Sequence, residues 1–483
     1  MSASPVIRSV AVVGSGITAW SAAAALKKRI PLLEVTLVPA PIDNAALADR
    51  MMSTLPSIHG FHHDIGLTDE DTIARAASGV RLGTSFEGWV EGRPNYVHAY
   101  APCGAPVGGI PFHQLWLRER SAAELPPFDR FSPAAEMARS GKVRTEGVEA
   151  GLQLTLDRYA EMMRAYALHV GVVERQATIL DVRLRAEDGF IETLVLEDGA
   201  SVAPDLCVDC SGPAALLRSR VCGDFVDWNQ WLACDRLIFA KGDAVPEAVN
   251  LDRATATPTG WRWLASSPAQ YSRGLTYSSA HAGEIERQAE SIGPHEEVEL
   301  RQGRWRDPWV RNCVAIGDSA VAVEPLEWTN LHLAHSQIDR LIAMMPGRDC
   351  APIELAEFNR QCAAEADRVR DFLCLHYLLA RRPEPFWKEA AAIPPPESLA
   401  HTLSQFAERG RLPYYEEETF ARDSWLTVLL SQGFEPRRTD PLAELVSPAQ
   451  ARAAIQAMRQ SLDRSVPFLP ASAPVDLNPR GAR

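Results

Sequence analysis

The sequence predicts an α/β protein of two lobes: a Rossmann-like sheet lobe opened by a β-α-β unit and carrying a β-rich layer, and a helical C-terminal lobe. Three observations predict it. Residues 7–13 are an apolar, β-branched run that ends in Gly14-Ser15-Gly16-Ile17-Thr18-Ala19-Trp20 and passes into the helix formers of residues 21–28. A second strand-and-turn unit, NCVAIGDSAVAVEPLEWTNLH, spans residues 312–332 and enters an amphipathic helix at 331–345. Beyond it, helical patterns at 354–379, 397–409, 424–430 and 448–462 are separated by breaks such as Ile393-Pro394-Pro395-Pro396. The expected division is 1–345 for the cofactor and substrate lobe, a discontinuous core with an inserted sheet, then 346–464 for the helical lobe and 465–483 for an extended tail.

The first turn has the chemistry of a dinucleotide site. Gly14 permits the tight bend, Gly16 lets a pyrophosphate approach the backbone, and the small Ala19 lets the helix pack close to the strand. The second strand, residues 34–38, should end in an acidic residue for the adenosine ribose but ends in Pro39-Ala40, so either cofactor affinity is low or another group holds the ribose.

Residues 54–89 read as a Leu55-Pro56 turn, a helix with His59, His62 and His63, an acidic helix start at 68–71, and an alternating strand at 80–86 that carries Arg81 on one face. Three histidines on a short helix without a carboxylate partner read as partly solvated surface, and no metal is expected. Residues 103–112, PCGAPVGGIP from Pro102 onward, form a glycine- and proline-rich loop long enough for a lid or binding loop. A helix at 156–169 follows, then strands at 172–186 and 191–196 and a buried strand ending in a small-residue turn at 205–212. Cys207 and Cys210 alternate along that strand and read as structural thiols. Trp261 and Trp263 share one face of a strand, either as a core pair or as an aromatic wall for a planar substrate.

In the central stretch, Gly317 allows close backbone approach to a ligand, Asp318 offers a carboxylate at a strand end, and Pro325-Leu326-Glu327 breaks the chain before the helix. Its 483 residues exceed what one core usually holds. With 62 acidic against 49 basic residues and a net charge of −13, nucleic-acid and anionic-membrane partners are disfavoured. No apolar run reaches the ~20 residues of a membrane span. Nine scattered cysteines fit reduced thiols, and a cytoplasmic location is expected.

Taken in order, these motifs resemble the flavin-dependent halogenases of the tryptophan halogenase family over nearly the whole chain. Gly14 to Trp20 is similar to its G-x-G-x-x-G/A-W, Asp209-Cys210-Ser211-Gly212 to its D-C-S-G, and Gly260 to Trp263 to the front of its G-W-x-W-x-I-P. Asn312 to Gly317 and Pro325-Leu326-Glu327 are similar to its N-C-x-A-x-G and P-L-E, and Arg370 to Tyr377, Pro385-Phe386-Trp387 and Gln432-Gly433 to its helical-lobe signatures.

The resemblance implies a two-lobed flavoprotein that takes reduced FAD from a separate, transiently bound flavin reductase and uses O2 and halide to make hypohalous acid. That acid passes through a tunnel to a small electron-rich aromatic substrate, indole- or tryptophan-like. It implies Glu327 and Arg81 as catalytic residues and Gly14, Gly16, Ala19, Trp20, Thr54, Gly212, Gly317 and Asp318 as cofactor contacts. Thr329 and Asn330 would hold halide, and Trp261, Trp263, Pro325 and Trp328 would line the substrate; a homodimer is left open.

The departures from the family fall on its chemistry. Arg81 stands where the activating lysine is, and a guanidinium stays protonated, so it can polarise hypohalous acid but not form a haloamine. Ala265-Ser266 replace the I-P, Met51-Met52-Ser53 replace the glycine-glutamate stretch before Thr54, and Trp328 replaces the serine after P-L-E. Three readings follow: a halogenase with Arg81 as non-covalent activator, for which bromide is the easier halide to oxidise; an FAD-dependent aromatic hydroxylase; and a catalytically silent homologue that binds flavin or an indole-like ligand.

Overall fold

β1 (Ser9–Val13) lies inside a six-stranded sheet, and its residues dictate that place: Val10 to Val13 are buried on both faces, the pattern of a parallel strand covered on each side. The computed structural model describes residues 6–470 apart from 121–123, 144–146, 222, 243–249 and 284. The strand order is Trp309–Val310, Cys313–Ala315, Leu206–Asp209, β1, β2 (Glu34–Val38) and Val173–Glu174, with all pairings parallel except that of Trp309–Val310.

Register sets the crevice. Val13 pairs with Asp209 and Asp209 with Ala315, so three strands end side by side and their turns emerge at one sheet edge. Between β1 and β2, α1 (Ile17–Arg29) buries Ala22 to Leu26 completely. Alanine at these positions lets it nest against the helices Leu156–Val170 and Asn330–Ala343. A methyl group added at Gly14 would meet the Cys210 carbonyl and, at 2.9 Å, the Ala19 Cβ, so this turn does need glycine.

A seven-stranded sheet forms the second layer, in the order Glu296–Glu299, Arg236–Gly242, Tyr271–Tyr277, Gly260–Ser266, Leu251–Thr257, Gly83–Glu87, Tyr96–Ala99. It is antiparallel except where Leu251–Thr257 meets Gly83–Glu87. The single strand expected over 80–86 is two, Gly79–Arg81 and Gly83–Glu87. Gly83, with φ +155°, sits so close to the His98 carbonyl that no side chain fits, and the chain changes sheets there. Likewise the run at 172–186 divides into Val173–Glu174 and Ile179–Leu184, which belong to different sheets.

The C-terminal helices run Pro352–Leu379, Pro385–Ala392, Glu397–Arg409, Arg422–Ser431 and Pro448–Ser465. Helix periodicity located four of them. The short Pro385–Ala392 helix was visible only as a motif, and the seven- and eight-residue helices Pro133–Arg139 and Phe112–Glu119 were missed, being too short for a periodic signal. Buried side chains from the sheet lobe, such as Val12 and Trp261, and from the helices, such as Phe358 and Trp425, form one contiguous core. Residues 466–468 make a helical turn that buries Val466 against Ala134 and Met137; most of the expected tail, 471–483, lies outside the described residues. Among the described residues no helix is long and apolar enough to cross a membrane.

Candidate active site

The crevice is framed by three turns, each following a strand end: Gly14 to Gly16, Ser211 to Gly212 and Gly317 to Ser319. Asp209 fixes the middle one. Its carboxylate accepts from the backbone N–H groups of Ser211, Leu217 and Arg218, and the Ser319 hydroxyl donates to the Gly212 carbonyl at 2.9 Å. Gly317, with φ +65°, takes a left-handed bend and donates its N–H to Gln337 Oε1 at 2.7 Å. The frame is that of a dinucleotide site.

A segment of the chain itself lies across this frame. α2 (Leu47–Arg50) brings Asp49 onto the N-terminus of α1, where Thr18 N and Thr18 Oγ1 both donate to Asp49 Oδ1, at 2.7 and 2.8 Å. A methyl group added at Gly16 would collide with the Asp49 carboxylate, and one at Gly212 would come within 3.1 Å of Asp43 and Ala46. Ala48 N donates to Asp318 Oδ2 at 2.7 Å. Met51 and Met52 are buried in the main core.

On this fold the pyrophosphate of FAD would lie on the first helix N-terminus, against Gly16. Asp49 holds that place. The residues present therefore do not fit FAD in this arrangement.

The other expected cofactor contacts are likewise engaged. Trp20 is buried beneath the Arg164 guanidinium, 5.7 Å from its ring. Thr54 is stitched to Leu152 through both backbone and hydroxyl. Asp318 accepts from α2, and burial, together with the nearby Asp49, pushes its carboxyl up to about 8 against the Ala48 hydrogen bond.

That shift gives a pH signature. A carboxyl whose pKa is raised by folding contributes stability that is full below the unfolded value of 3.8 and is lost as pH rises through about 8. Asp318→Asn keeps an acceptor for Ala48 N without the charge. Its melting temperature should therefore gain on wild type steadily from pH 4 to pH 8, and a pH-independent difference would contradict the assignment.

Glu327 occupies a second centre, away from the glycine turns. It and Trp328 are consecutive residues in the left-handed region, with φ of 63° and 60°. Neither is glycine, and each such conformation costs on the order of 1–3 kcal/mol, a strain that surrounding structure must impose. What imposes it is on either side. His98 Nδ1 donates to Glu327 Oε1 at 2.7 Å from the strand Tyr96–Ala99, and His376 Nε2 lies 3.2 Å from the same oxygen, from the helix Pro352–Leu379. His376 is wedged flat against Phe86, ring centroids 4.6 Å apart.

Burial alone would push the Glu327 carboxyl up. The two imidazoles more than offset it and hold the group well below the usual carboxylate range. Glu327 Oε2, His98 Nε2, Thr329 Oγ1 and Asn330 Oδ1 are buried without a hydrogen-bond partner among the described residues. Their hydrogen-bonding capacity is unspent.

Arg81 is placed differently from expectation. Its Nε donates to Asp252, its Nη1 to the Thr54 carbonyl at 3.0 Å and its Nη2 to Thr84 Oγ1 at 2.7 Å, and both Arg81 and Asp252 are 0% exposed. Gln153 Nε2 satisfies the other Asp252 oxygen at 2.9 Å. The guanidinium is thus fully buried and engaged with three protein acceptors. It nevertheless lies near Glu327 in the fold, since Thr84 and His98, the partners of the two groups, pair in register across adjacent strands.

Trp261 and Trp263 do share a buried face, but they are hydrogen-bonded core residues and not a bare wall. Trp261 Nε1 donates to Tyr377 Oη at 3.0 Å, Trp263 Nε1 to Ser272 Oγ at 3.4 Å, and Trp328 packs edge-on to Trp263. Tyr377 in turn donates to Glu324, whose carboxyl burial pushes up to about 7. Leu326 beside Pro325 and Trp328 are buried, so this turn presents no open face.

Space for a ligand lies elsewhere. A cleft of about 680 Å³ in the helical lobe is lined by Arg368, Tyr414, Tyr415, Phe420, Arg422 and Trp425. Phe420 and Ala421 also line a smaller cavity of about 130 Å³, together with Tyr100 and His332. Tyr100 lies 5.4 Å from the Arg81 guanidinium carbon and packs edge-on to His98. A wider groove of about 740 Å³ between Leu67, Arg158 and Tyr166 holds none of the candidate residues.

The histidines of the Ile58–Ile65 helix have separate partners: His59 contacts Asp69, His62 contacts Tyr159 Oη, and His63 is exposed. Among the described residues no group of three His, Cys, Asp or Glu side chains is placed to hold a metal.

The tryptophan halogenase family matches this chain over residues 9–448. Among characterised relatives, tryptophan 7-halogenase KtzQ of Kutzneria sp. (strain 744) is 27% identical over 92% of this chain and 93% of its own length. Tryptophan 6-halogenase SttH of Streptomyces toxytricini is 27% identical over 95% and 96%. The solved structure of BrvH, a flavin-dependent halogenase from Brevundimonas sp. BAL3, superposes with a TM-score of 0.92 at 33% identity, covering 97% of this chain and 98% of that one.

Proposed function

The chain belongs to the tryptophan halogenase family, and on that premise we propose that it is a flavin-dependent halogenase-type oxidoreductase acting on a small, electron-rich, indole-like aromatic. The observation that carries the proposal is Glu327, a fully buried carboxylate kept ionised by two histidines within the P-L-E turn. Electrophilic substitution on an aromatic ring ends with loss of a ring proton, and a positioned carboxylate is suited to receive it. The aromatic-lined cleft of about 680 Å³ is of the size that small-molecule sites have, and it shares Phe420 with the smaller cavity at Tyr100; the Phe420 ring also packs beside His98. The Thr329 hydroxyl, which has no partner among the described residues and can donate, would serve the halide, and the unpartnered Asn330 Oδ1, an acceptor, would serve an ordered water beside it. Arg81 supports this centre through Asp252 and Thr84 and does not activate the oxidant.

A second reading, a homologue that binds an aromatic ligand without turnover, is favoured by Asp49 in the crevice and by Trp328 in the turn. One assay separates the two. Purified protein supplied with FAD, a separate flavin reductase, NADH, bromide and indole is expected to yield bromoindole. Hydroxylated indole formed regardless of bromide would replace the proposal with a monooxygenase, and absence of any product would favour the silent homologue.

A further inference from the structure

The flavin expected from the family and the 43–50 segment claim the same space. Asp49 takes the Thr18 N–H and hydroxyl at the start of α1, and Asp43 and Ala46 close over Gly212. Ala48 ties the segment to Asp318 on the far side of the crevice. Arg50 anchors its end, paired with Glu296 and stacked 4.9 Å from the Phe239 ring. These contacts reach all three turns that frame the crevice, so the segment is docked into it and does not merely pass by.

We infer that Asp49 is an internal anion standing in the place of a dinucleotide pyrophosphate, so that flavin and the 43–50 segment compete for one crevice and flavin enters only when the segment swings out. The chemistry is an exchange of like for like. A carboxylate and a phosphate are both anions that accept from helix N-terminal N–H groups, and one helix end cannot serve both. The inference rests on the flavin reading above only for the identity of the competing ligand. Arg50 and Asp318 hold the docked state.

Asp49→Ala removes the competing anion, and Asp49→Asn, nearly isosteric, serves if the alanine variant folds poorly. Titration calorimetry with FAD and, separately, with inorganic pyrophosphate is the direct measure. Both ligands should bind about 10- to 100-fold more tightly to Asp49→Ala than to wild type, the range that charge-assisted hydrogen bonds provide. Hydrogen exchange gives an independent readout: the Ala48 amide should be protected in the free protein and lose protection on saturation with FAD.

Equal FAD affinity in wild type and variant, with Ala48 still protected, would overturn the competition and leave the flavin reading standing. Tighter pyrophosphate binding without FAD binding would uphold the internal anion and remove the flavin reading. Failure of both variants to bind either ligand would overturn the internal anion.

Discussion

Arg81→Met is expected to destabilise the protein by about 3–5 kcal/mol, the cost of leaving one partner of a buried ion pair charged and alone. Arg81 and Asp252 are both fully buried, and Arg81 also satisfies the Thr54 carbonyl and Thr84 hydroxyl. Methionine fills much of the volume but strands Asp252 with only Gln153. Urea unfolding measures the loss. The double variant Arg81→Met, Asp252→Leu should recover most of it, because removing both charges also removes the desolvation that made the pair costly. Additive losses in the double variant would show that the two groups act independently. Arg81→Lys keeps the charge but gives up the fork that reaches three acceptors, so it should fall between, and it should not raise halogenation. A rise would return Arg81 to the role of activator.

What was legible in the sequence follows from the range of the interactions involved. The Gly14 to Trp20 turn could be read because its requirements are local: a tight bend, a close helix, a small residue four or five positions on. The same holds for Gly317 and the long helices, whose signals lie within a few turns of chain. Arg81 was found by position, but its meaning was not, because Asp252 lies 171 residues away. His98, 229 residues from Glu327, was missed for the same reason.

A signal for the histidines did exist. His98 sits in YVHAY and His376 in FLCLHYLL, each a lone polar residue in an apolar stretch, and a buried polar group needs a partner. Asp49 gave no such sign. It lies in ALADRMM, which has no period and no motif, and only the fold carries it the 31 residues back to Thr18. Asp49 is thus a departure that sequence pattern could not place, unlike Arg81 and Trp328, which stand inside motifs.

Glu327→Gln is expected to lower turnover by about 10²- to 10⁴-fold, the usual contribution of a positioned general base. The amide keeps the shape and can still accept from His98 Nδ1, so substrate binding should change little and the effect should appear in kcat with KM nearly constant. The loss is one of charge. Glu327 Oε1 lies between two imidazoles, and once it is neutral nothing in the pocket balances a proton arriving from the ring. His98→Gln offers the contrasting case: it keeps a donor to the carboxylate but removes an imidazole that holds Glu327 ionised, so activity should survive while the acidic limb of its pH profile moves upward. If Glu327→Gln turned over at the wild-type rate, the base would have to be another group, and Glu324, which burial pushes up to about 7 beside Tyr377, would be the carboxylate to test next.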